Sequence, residues 1–212
     1  MSVNSRPIEI EDVQGLVLSG YAHLNYGAYL FLTFGAPNET KAWLRALIPQ
    51  IATGAAWPKD ASGKTIKPDS ALTLSFTYTG LEALALPQEA LESFPLEFRA
   101  GITDVGRSRI LGDTGDSAPQ YWDVCGDATQ THALLIVLAD STERLTALVQ
   151  QHSAALEQAG GRVNSRIDGA KLPDNKEHFG YKDGISQPRL PSSARTSDVA
   201  EVRIAPGEFV MG

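Results

Sequence analysis

The sequence predicts an α+β fold of the ferredoxin-like type, in which an antiparallel sheet carries helices packed on one face. Two observations predict this class. Segments with strand patterning alternate with segments of helical periodicity, in the order strand, helix, strand, short helices, strand, helix, strand. No internal repeat or low-complexity linker interrupts this order, so one domain with a long irregular C-terminal tail accounts for the chain.

The first two strands and the helix between them have distinct patterns. Residues 26–34 (YGAYLFLTF) are rich in aromatic and aliphatic side chains, which is typical of a buried strand. Residues 39–51 predict a helix, because large apolar side chains recur there at helical spacing. Residues 70–80 (SALTLSFTYTG) alternate and predict a half-buried strand, whose apolar face would be formed by Leu72, Leu74, Phe76 and Tyr78.

The chain between the second and third strands is expected to form an irregular insertion. A short helix at 81–86 should end at Pro87, because proline cannot continue the helical hydrogen bonds. Residues 95–113 predict one irregular helix with internal glycines. Residues 111–127 are dense in Gly, Asp and Pro and predict a loop, as does the polar segment 54–69.

A third strand, a long helix and a fourth strand complete the predicted domain. The strands are expected at 131–140 (THALLIVLAD) and 161–170. Between them, Asp140 or Ser141 should cap a helix that ends at Gly160.

The remainder of the chain carries little periodicity. We therefore divide the sequence into a ferredoxin-like domain at 1–170 and an extended tail at 171–212, with one short strand predicted at 201–205 (EVRIA). A tail of this length is expected either to wrap its own domain or to reach into another one.

Composition and charge exclude several classes of function. The hydrophobic share of 42% and charged share of 20% are ordinary for a globular protein. A net charge of −7 disfavours nucleic acid and anionic membranes as partners. Cys125 is the only cysteine, so no internal disulfide can form. The first twenty residues lack the pattern of a secretory signal and no apolar run could span a bilayer, so we expect a cytoplasmic location.

Most candidate reactive side chains have an ordinary structural interpretation. Cys125 lies in the acidic stretch DVCGD, whose carboxylates would raise the pKa of its thiol. The stretch GDTGDSAPQ lacks the Lys-Ser/Thr ending of a phosphate-binding loop and is interpreted as a turn. The histidines have no partners at metal-ligand spacing, so no metal ligand is assigned in this chain; they are His23, His132, His152 and His178.

The stretch EHFGYKDGISQP (177–188) places one carboxylate, Asp183, between Gly180 and Gly184. Glycines allow a sharp turn and a close approach of the backbone to a flat partner. The aspartate has two interpretations. It could bond a backbone N–H two residues on, as in an Asx turn, or it could serve as a general acid/base held at a fixed position.

Four blocks of the chain carry a resemblance to a known family. GYKDG looks like the G-x-x-D-G signature of the dye-decolorising (DyP-type) haem peroxidases. DVQGLVLSGYAHL at 12–24 resembles the start of that family, and residues 94–122 are similar to its F-R-x-G … LGD-x-G … P-x-x-W stretch. APGEFVMG at 205–212 resembles the P-G-E-F run that follows the signature. The blocks occur in the family's order and resemble its N-terminal half only.

The resemblance implies a peroxidase that uses haem b to oxidise aromatic donors, including dyes, with hydrogen peroxide. In that family the haem lies between two ferredoxin-like halves of one chain. Asp183 matches the acid on the distal side of the haem, and Gly184, Ile185 and Ser186 match positions whose backbone lies beside the haem edge. An aspartate, with a reference pKa of about 3.9, can move a proton between the two peroxide oxygens, best in acidic medium.

The chain also departs from the family pattern. The axial histidine and distal arginine belong to the other half of a DyP-type peroxidase, and no histidine of this chain matches the axial position. His178 would lie on the same side as Asp183. We therefore expect the isolated chain to bind haem weakly or not at all and to be inactive. The expected partners are the missing half of the same protein, hydrogen peroxide and aromatic reductants. The alternative is a stable non-catalytic module that dimerises through its sheet, or swaps its tail, to form a homo-oligomer.

Overall fold

Four strands form the centre of the computed structural model, which describes residues 9–18, 20–127 and 130–182. They are β1 (Tyr26–Thr33), β2 (Ser70–Phe76), β3 (Ala133–Ala139) and β4 (Arg162–Ala170). The strand order is β2-β3-β1-β4, and each neighbouring pair is antiparallel. This topology confirms the predicted α+β, ferredoxin-like class. The predicted tail lies outside the described residues from position 183 onward, including the strand expected at 201–205.

The helices divide into two groups. Two of them, α1 (Pro37–Leu47) and α6 (Thr142–Gln158), pack on one face of the sheet. The others lie between β2 and β3; they are α2 (Tyr78–Ala83), α3 (Gln88–Glu92), α4 (Leu96–Ala100) and α5 (Val105–Leu111). Ser141 caps α6 by accepting a hydrogen bond at its Oγ from the backbone N–H of Arg144. This cap is one of the two that the sequence predicted.

The main core lies between the sheet and the helices α1 and α6. The helix-facing side chains of β1 and β3 are almost fully buried there, because alternate residues of a strand point to the same face. Helices α1 and α6 contribute side chains at helical spacing to the same cluster. Its main members are Ala28, Leu30, Leu32, Leu135, Val137, Trp43, Leu47, Leu145, Val149 and Leu156.

The second strand differs from its prediction in two ways. It ends at Phe76, because Thr77 caps α2 by accepting a hydrogen bond at Oγ1 from Gly80 N at 3.0 Å. It is also buried on both faces rather than on one. A second apolar cluster, with Tyr21 and Leu24 at its centre, covers Ala71 on the face opposite the helices. Sequence alternation could not show that a distant segment would cover this face.

The outer edge of β2 is closed by a side chain. Gln14 donates from Nε2 to the backbone oxygen of Leu74 at 2.7 Å and accepts at Oε1 from the backbone N–H of Leu74 at 2.8 Å. The amide therefore takes the place of a neighbouring strand at this residue. An unpaired edge invites association with other chains, and this bidentate contact covers part of it.

Residues 95–113 contain two helices where the sequence predicted one irregular helix. Helix α4 ends at Gly101, whose φ of +72° a residue with a Cβ rarely adopts. Helix α5 then starts after Asp104, which accepts a hydrogen bond at Oδ1 from Arg107 N at 3.0 Å, and ends at Gly112 in the left-handed conformation.

The start of the insertion is tied to the start of β3. Thr77 donates from its backbone N–H to His132 O at 3.0 Å and from Oγ1 to Thr131 O at 2.7 Å. Gly80 lies so close that a Cβ added there would sit 1.9 Å from His132 O. The absence of a side chain at residue 80 therefore allows α2 to pack directly on this backbone.

His152 is a core residue rather than a solvated one. It lies on α6 in line with the core side chains, is 3% exposed, and its Nε2 has no hydrogen-bond partner among the described residues. Burial lowers the pKa of His152 below its ordinary value, because the charged imidazolium is poorly solvated in an apolar core.

This burial predicts a loss of stability in acid that depends on His152. Since the pKa is lower in the folded than in the unfolded chain, the stability is fully present above pH 6.5, the ordinary value, and falls as the pH drops below it. One such group can contribute a slope of at most about 1.4 kcal/mol per pH unit. We expect His152→Leu to flatten the stability profile between pH 7.5 and pH 5, measured by urea unfolding. Parallel profiles for the two proteins would contradict this assignment.

Every helix in the described residues is either too short or too polar to span a bilayer.

Candidate functional site

The residues that the sequence singled out lie just beyond the described part of the tail. Asp183, Gly184, Ile185 and Ser186 are all outside the described residues. The described chain reaches Lys182, so the structure describes the turn that leads into Asp183.

This turn is closed by backbone hydrogen bonds. The N–H of Gly180 donates to Glu177 O and the N–H of Glu177 donates to Tyr181 O, both at 2.8 Å. Lys176 and Lys182 face each other in an antiparallel bridge. Gly180 has a φ of +89°, which explains why the first position of G-x-x-D-G is a glycine. A reverse turn with both arms paired therefore immediately precedes Asp183.

The turn is connected to the sheet by a short, anchored segment. Immediately after β4, the backbone N–H of Lys171 donates to Asn25 O at 2.8 Å, and its Nζ donates to Ala22 O at 2.6 Å. A single helical turn at Pro173–Asn175 then leads to the hydrogen-bonded turn. The G-x-x-D-G segment thus follows the edge strand β4.

The sheet face opposite α1 and α6 carries apolar side chains that are only partly covered. Tyr29 of β1 lies between Ile136 of β3 and Ile167 of β4 in the strand register. Tyr29 is 37% and Ile167 45% exposed. In the next row, Phe31 pairs with Leu134. We call these five residues the open sheet face. Apolar side chains on a sheet face are normally buried against another layer.

One end of the open sheet face carries polar groups and borders a cleft of about 440 Å³. The Oγ1 of Thr33 lies 2.7 Å from Asn164 Oδ1 and also contacts the backbone oxygen of Gln130, and it can donate its single hydrogen to one of these two oxygens. The Nδ2 of Asn164 donates to the same oxygen of Gln130. The cleft is lined on its other side by the insertion, including Trp122 and Cys125.

Cys125 has no features of a nucleophile. Burial raises the pKa of its thiol, and a hydrogen bond with the Thr131 side chain lowers it by a smaller amount. The sequence predicted the direction correctly, but it attributed the shift to neighbouring carboxylates rather than to burial.

The described histidines serve structural contacts. His23 Nε2 bonds to Pro68 O at 2.7 Å, and His132 Nδ1 accepts from Phe34 N at 2.9 Å. His152 is buried in the core and His178 is exposed on the turn. Within residues 9–18, 20–127 and 130–182, no group of three or more His, Cys, Asp or Glu side chains could hold a metal ion.

A haem needs apolar walls for its porphyrin ring and a ligand for its iron, and the described residues can be compared with both requirements. The open sheet face offers an apolar wall, which suits the porphyrin ring. None of the described histidines lines the cleft beside Asn164, and His23 and His132 each use a ring nitrogen in a hydrogen bond to a backbone group.

The fold and the site together define a ferredoxin-like α+β domain in which one sheet face is only partly covered and a glycine-bounded acid follows the edge strand. The family described as the DyP dimeric alpha+beta barrel domain matches residues 12–171. The chain therefore belongs to the DyP-type peroxidase family and corresponds to the N-terminal part of its members.

Several relatives and solved structures resemble the chain. It is 25% identical to a dye-decolorizing peroxidase of Mycena epipterygia, covering 97% of this chain and 37% of the relative. It is also 26% identical to Peroxidase 2 of Mycetinis scorodonius, and this match covers 96% of this chain and 38% of the relative. A crystal structure of DyP matches with a TM-score of 0.76 at 20% identity, covering 95% of this chain and 42% of the other. The crystal structure of a fungal DyP-type peroxidase from Auricularia auricula-judae matches with a TM-score of 0.74 at 21% identity, covering 96% of this chain and 43% of the other.

The coverage shows that the chain spans 37–38% of the length of these two relatives. At these identities, the structural matches establish the fold alone. Sequence reasoning expected helices on one face of the sheet and the other face exposed, but it identified neither the residues of the open sheet face nor the cleft beside Asn164. The alternation in β1 contained the signal for the open sheet face, because Tyr29 and Phe31 occupy the positions between core residues. The cleft beside Asn164 has no comparable signal, since its walls come from distant segments.

Proposed function

We propose that this chain is the N-terminal part of a haem-dependent peroxidase that oxidises aromatic donors, dyes among them, with hydrogen peroxide. The observation that carries the proposal is Asp183 in a G-x-x-D-G segment, directly after a hydrogen-bonded turn in a DyP-family domain. The relatives named above are peroxidases, one solved relative is a complex with 2,6-dimethoxyphenol, and another is described by its heme pocket. This proposal includes residues 1–170 as the domain and 171–212 as the tail that carries the motif.

In this proposal Asp183 moves one proton. Its carboxylate accepts a proton from one oxygen of hydrogen peroxide and returns it to the other oxygen, so that the bond between them can break with water as the leaving group. Haem b, when bound, would supply the two electrons that reduce the O–O bond of hydrogen peroxide and would recover them from the aromatic donor, so that the second oxygen also ends as water. The glycines on both sides of Asp183 keep bulk away from the porphyrin plane.

The neighbouring residues have a positioning role. The backbone of Gly184, Ile185 and Ser186 would lie beside the haem edge, where small side chains and backbone groups can approach closely. The open sheet face would be covered by the other part of the full-length protein, which supplies the axial ligand and excludes water from the site. A cytoplasmic location remains part of the proposal.

Haem reconstitution tests this function. We expect the full-length protein to show a Soret band at equimolar haem and to oxidise a phenolic donor when peroxide is added. The isolated 212-residue chain should show neither, because it lacks the axial ligand. A full-length protein without a Soret band would contradict the proposal.

The partly exposed apolar side chains Tyr29 and Ile167 favour one second candidate function. A domain with such a face could form a homo-oligomer as a non-catalytic module. Analytical ultracentrifugation of the isolated chain and the Soret band of the full-length protein together distinguish the two candidate functions. A dimeric isolated chain and a full-length protein that binds no haem would support the non-catalytic module.

A further inference from the structure

A cleft of about 360 Å³ lies beside the edge strand β2, and we call it the Trp57 cleft. Its aromatic lining is formed by Tyr21 and Trp57, and its other apolar walls include Pro58, Pro68 and Leu148. Small-molecule sites are typically clefts of about 300–1,000 Å³ with apolar and aromatic walls. Since β2 and β4 are the two edge strands, this cleft lies at the other edge of the sheet from the strand that leads to Asp183.

Tyr21 is fixed beside this cleft in an unusual backbone conformation. Its φ is +47°, in the left-handed region that a bulky residue rarely adopts. Such strain persists only where the surrounding contacts impose it, and it occurs often at ligand-binding sites. Here the backbone oxygen of Tyr21 accepts from Leu24 N at 2.8 Å, and the next carbonyl, of Ala22, accepts from Lys171 Nζ at 2.6 Å. The segment that carries Tyr21 is therefore anchored on both sides of the strained bond.

Two ring contacts set the orientation of Trp57. Its ring centroid lies 6.0 Å from that of Tyr21 and 5.3 Å from that of His23, with an edge-to-face angle of 71° to the His23 ring. His23 is itself fixed, because its Nε2 bonds to Pro68 O at 2.7 Å. Trp57 is only partly buried, so part of its ring is accessible from the cleft. Another aromatic ring can pack against such a surface in a stacked or edge-to-face arrangement.

The polar groups of the cleft favour a neutral ligand. Among the described residues that line it, none carries a charge. Gln50 donates from Nε2 to Ala46 O at 2.9 Å, which orients its amide and leaves Oε1 able to accept a hydrogen bond. Ser70 adds a hydroxyl group to the same lining. A neutral aromatic molecule with a hydroxyl group matches both the apolar walls and these polar groups.

We propose that the Trp57 cleft is a binding site for a neutral phenol, separate from the segment that carries Asp183. The aromatic ring of the phenol packs against Trp57, and its hydroxyl group donates to Oε1 of Gln50. The choice of a phenol rests on the proposed function, in which aromatic donors are oxidised, whereas the shape and polarity of the cleft do not depend on it. The domain thus holds an aromatic donor at a second place, away from the site of peroxide chemistry.

Titration of the 212-residue chain with 2,6-dimethoxyphenol tests this site by NMR. The chain has three tryptophans, and only the indole N–H signal of Trp57 should shift and reach saturation. Trp57→Ala should weaken binding at least about tenfold, measured from the line widths of the phenol. Trp122→Ala is the matched control, because Trp122 lies outside the Trp57 cleft, and it should keep the affinity within about twofold. Equal affinities for the two variants, or shifts that never saturate, would overturn the proposal.

A second variant serves if Trp57→Ala prevents folding. Ala55 is exposed and lines the cleft, so Ala55→Trp would occupy the cleft without changing the core. This variant should also weaken binding at least about tenfold, and an unchanged affinity would overturn the proposal. Binding of cyclohexanol as tight as that of the phenol would overturn it as well, because no aromatic ring would then be recognised. The titration needs no haem, so its failure leaves the proposed function standing, and that function is tested separately by the Soret band of the full-length protein.

Discussion

Replacing Asp183 by asparagine in the full-length protein is expected to lower peroxide-dependent oxidation of a phenolic donor by about 10²- to 10⁴-fold. Asparagine has nearly the shape of aspartate, but it cannot accept the proton that peroxide must lose. The Soret band should keep its intensity, because haem binding depends on the axial ligand and the apolar walls rather than on this proton. Steady-state kinetics with peroxide varied at a fixed donor concentration measure the effect.

Glu177 provides the matched control for this substitution. It lies in the turn that precedes Asp183, and the turn uses its backbone N–H and carbonyl groups. Glu177→Gln makes the same chemical change six residues upstream. Its turnover should stay within about twofold of that of the unmodified full-length protein. If Asp183→Asn retained turnover within the same range, the aspartate would be a turn residue and the acid/base role would be wrong.

Replacing Gly80 by alanine is expected to destabilise the isolated chain by about 3 kcal/mol. The added Cβ would sit 1.9 Å from His132 O and 2.7 Å from His132 C, both backbone atoms that cannot rotate away. Relief of the contact must move α2 away from the start of β3, which breaks the hydrogen bonds from Thr77 to this backbone. Urea unfolding measures the change.

Gly20 is the control for the same change of residue. A Cβ added there meets nothing within 4 Å, so Gly20→Ala should alter the unfolding free energy by less than about 0.5 kcal/mol. Similar unfolding free energies for the two alanine variants would show that α2 tolerates a shift from β3. The close packing of the insertion on the sheet would then be wrong.

Much of the fold could be predicted because its signals are local. Three of these signals depend on neighbouring residues: the alternation of strands and helices, the cap at Ser141 and the stop at Gly160. The structure confirms all three. The prediction failed where a distant segment decides the environment. The cluster around Tyr21 buries the second face of β2. One local signal was also misinterpreted, because the positive φ at Gly101 separates two helices in a segment predicted as one.

The candidate site also has one part that could be predicted from the sequence and one part that could not. G-x-x-D-G could be found in the sequence because its glycines serve a local backbone requirement, seen in the φ of Gly180. The aspartate's role stays a prediction, since Asp183 lies outside the described residues. The open sheet face became evident only once the register placed Tyr29 between Ile136 and Ile167.

The class of fold, the order of its elements and the family could all be predicted from the sequence, because periodicity and short motifs are properties of neighbouring residues. Which apolar side chains are buried could be known only from the three-dimensional structure. Leu30 and Ile110 have similar hydropathy, yet Leu30 is 1% and Ile110 86% exposed. Burial depends on what the rest of the chain brings against a side chain, and that information is spread over residues far apart in sequence.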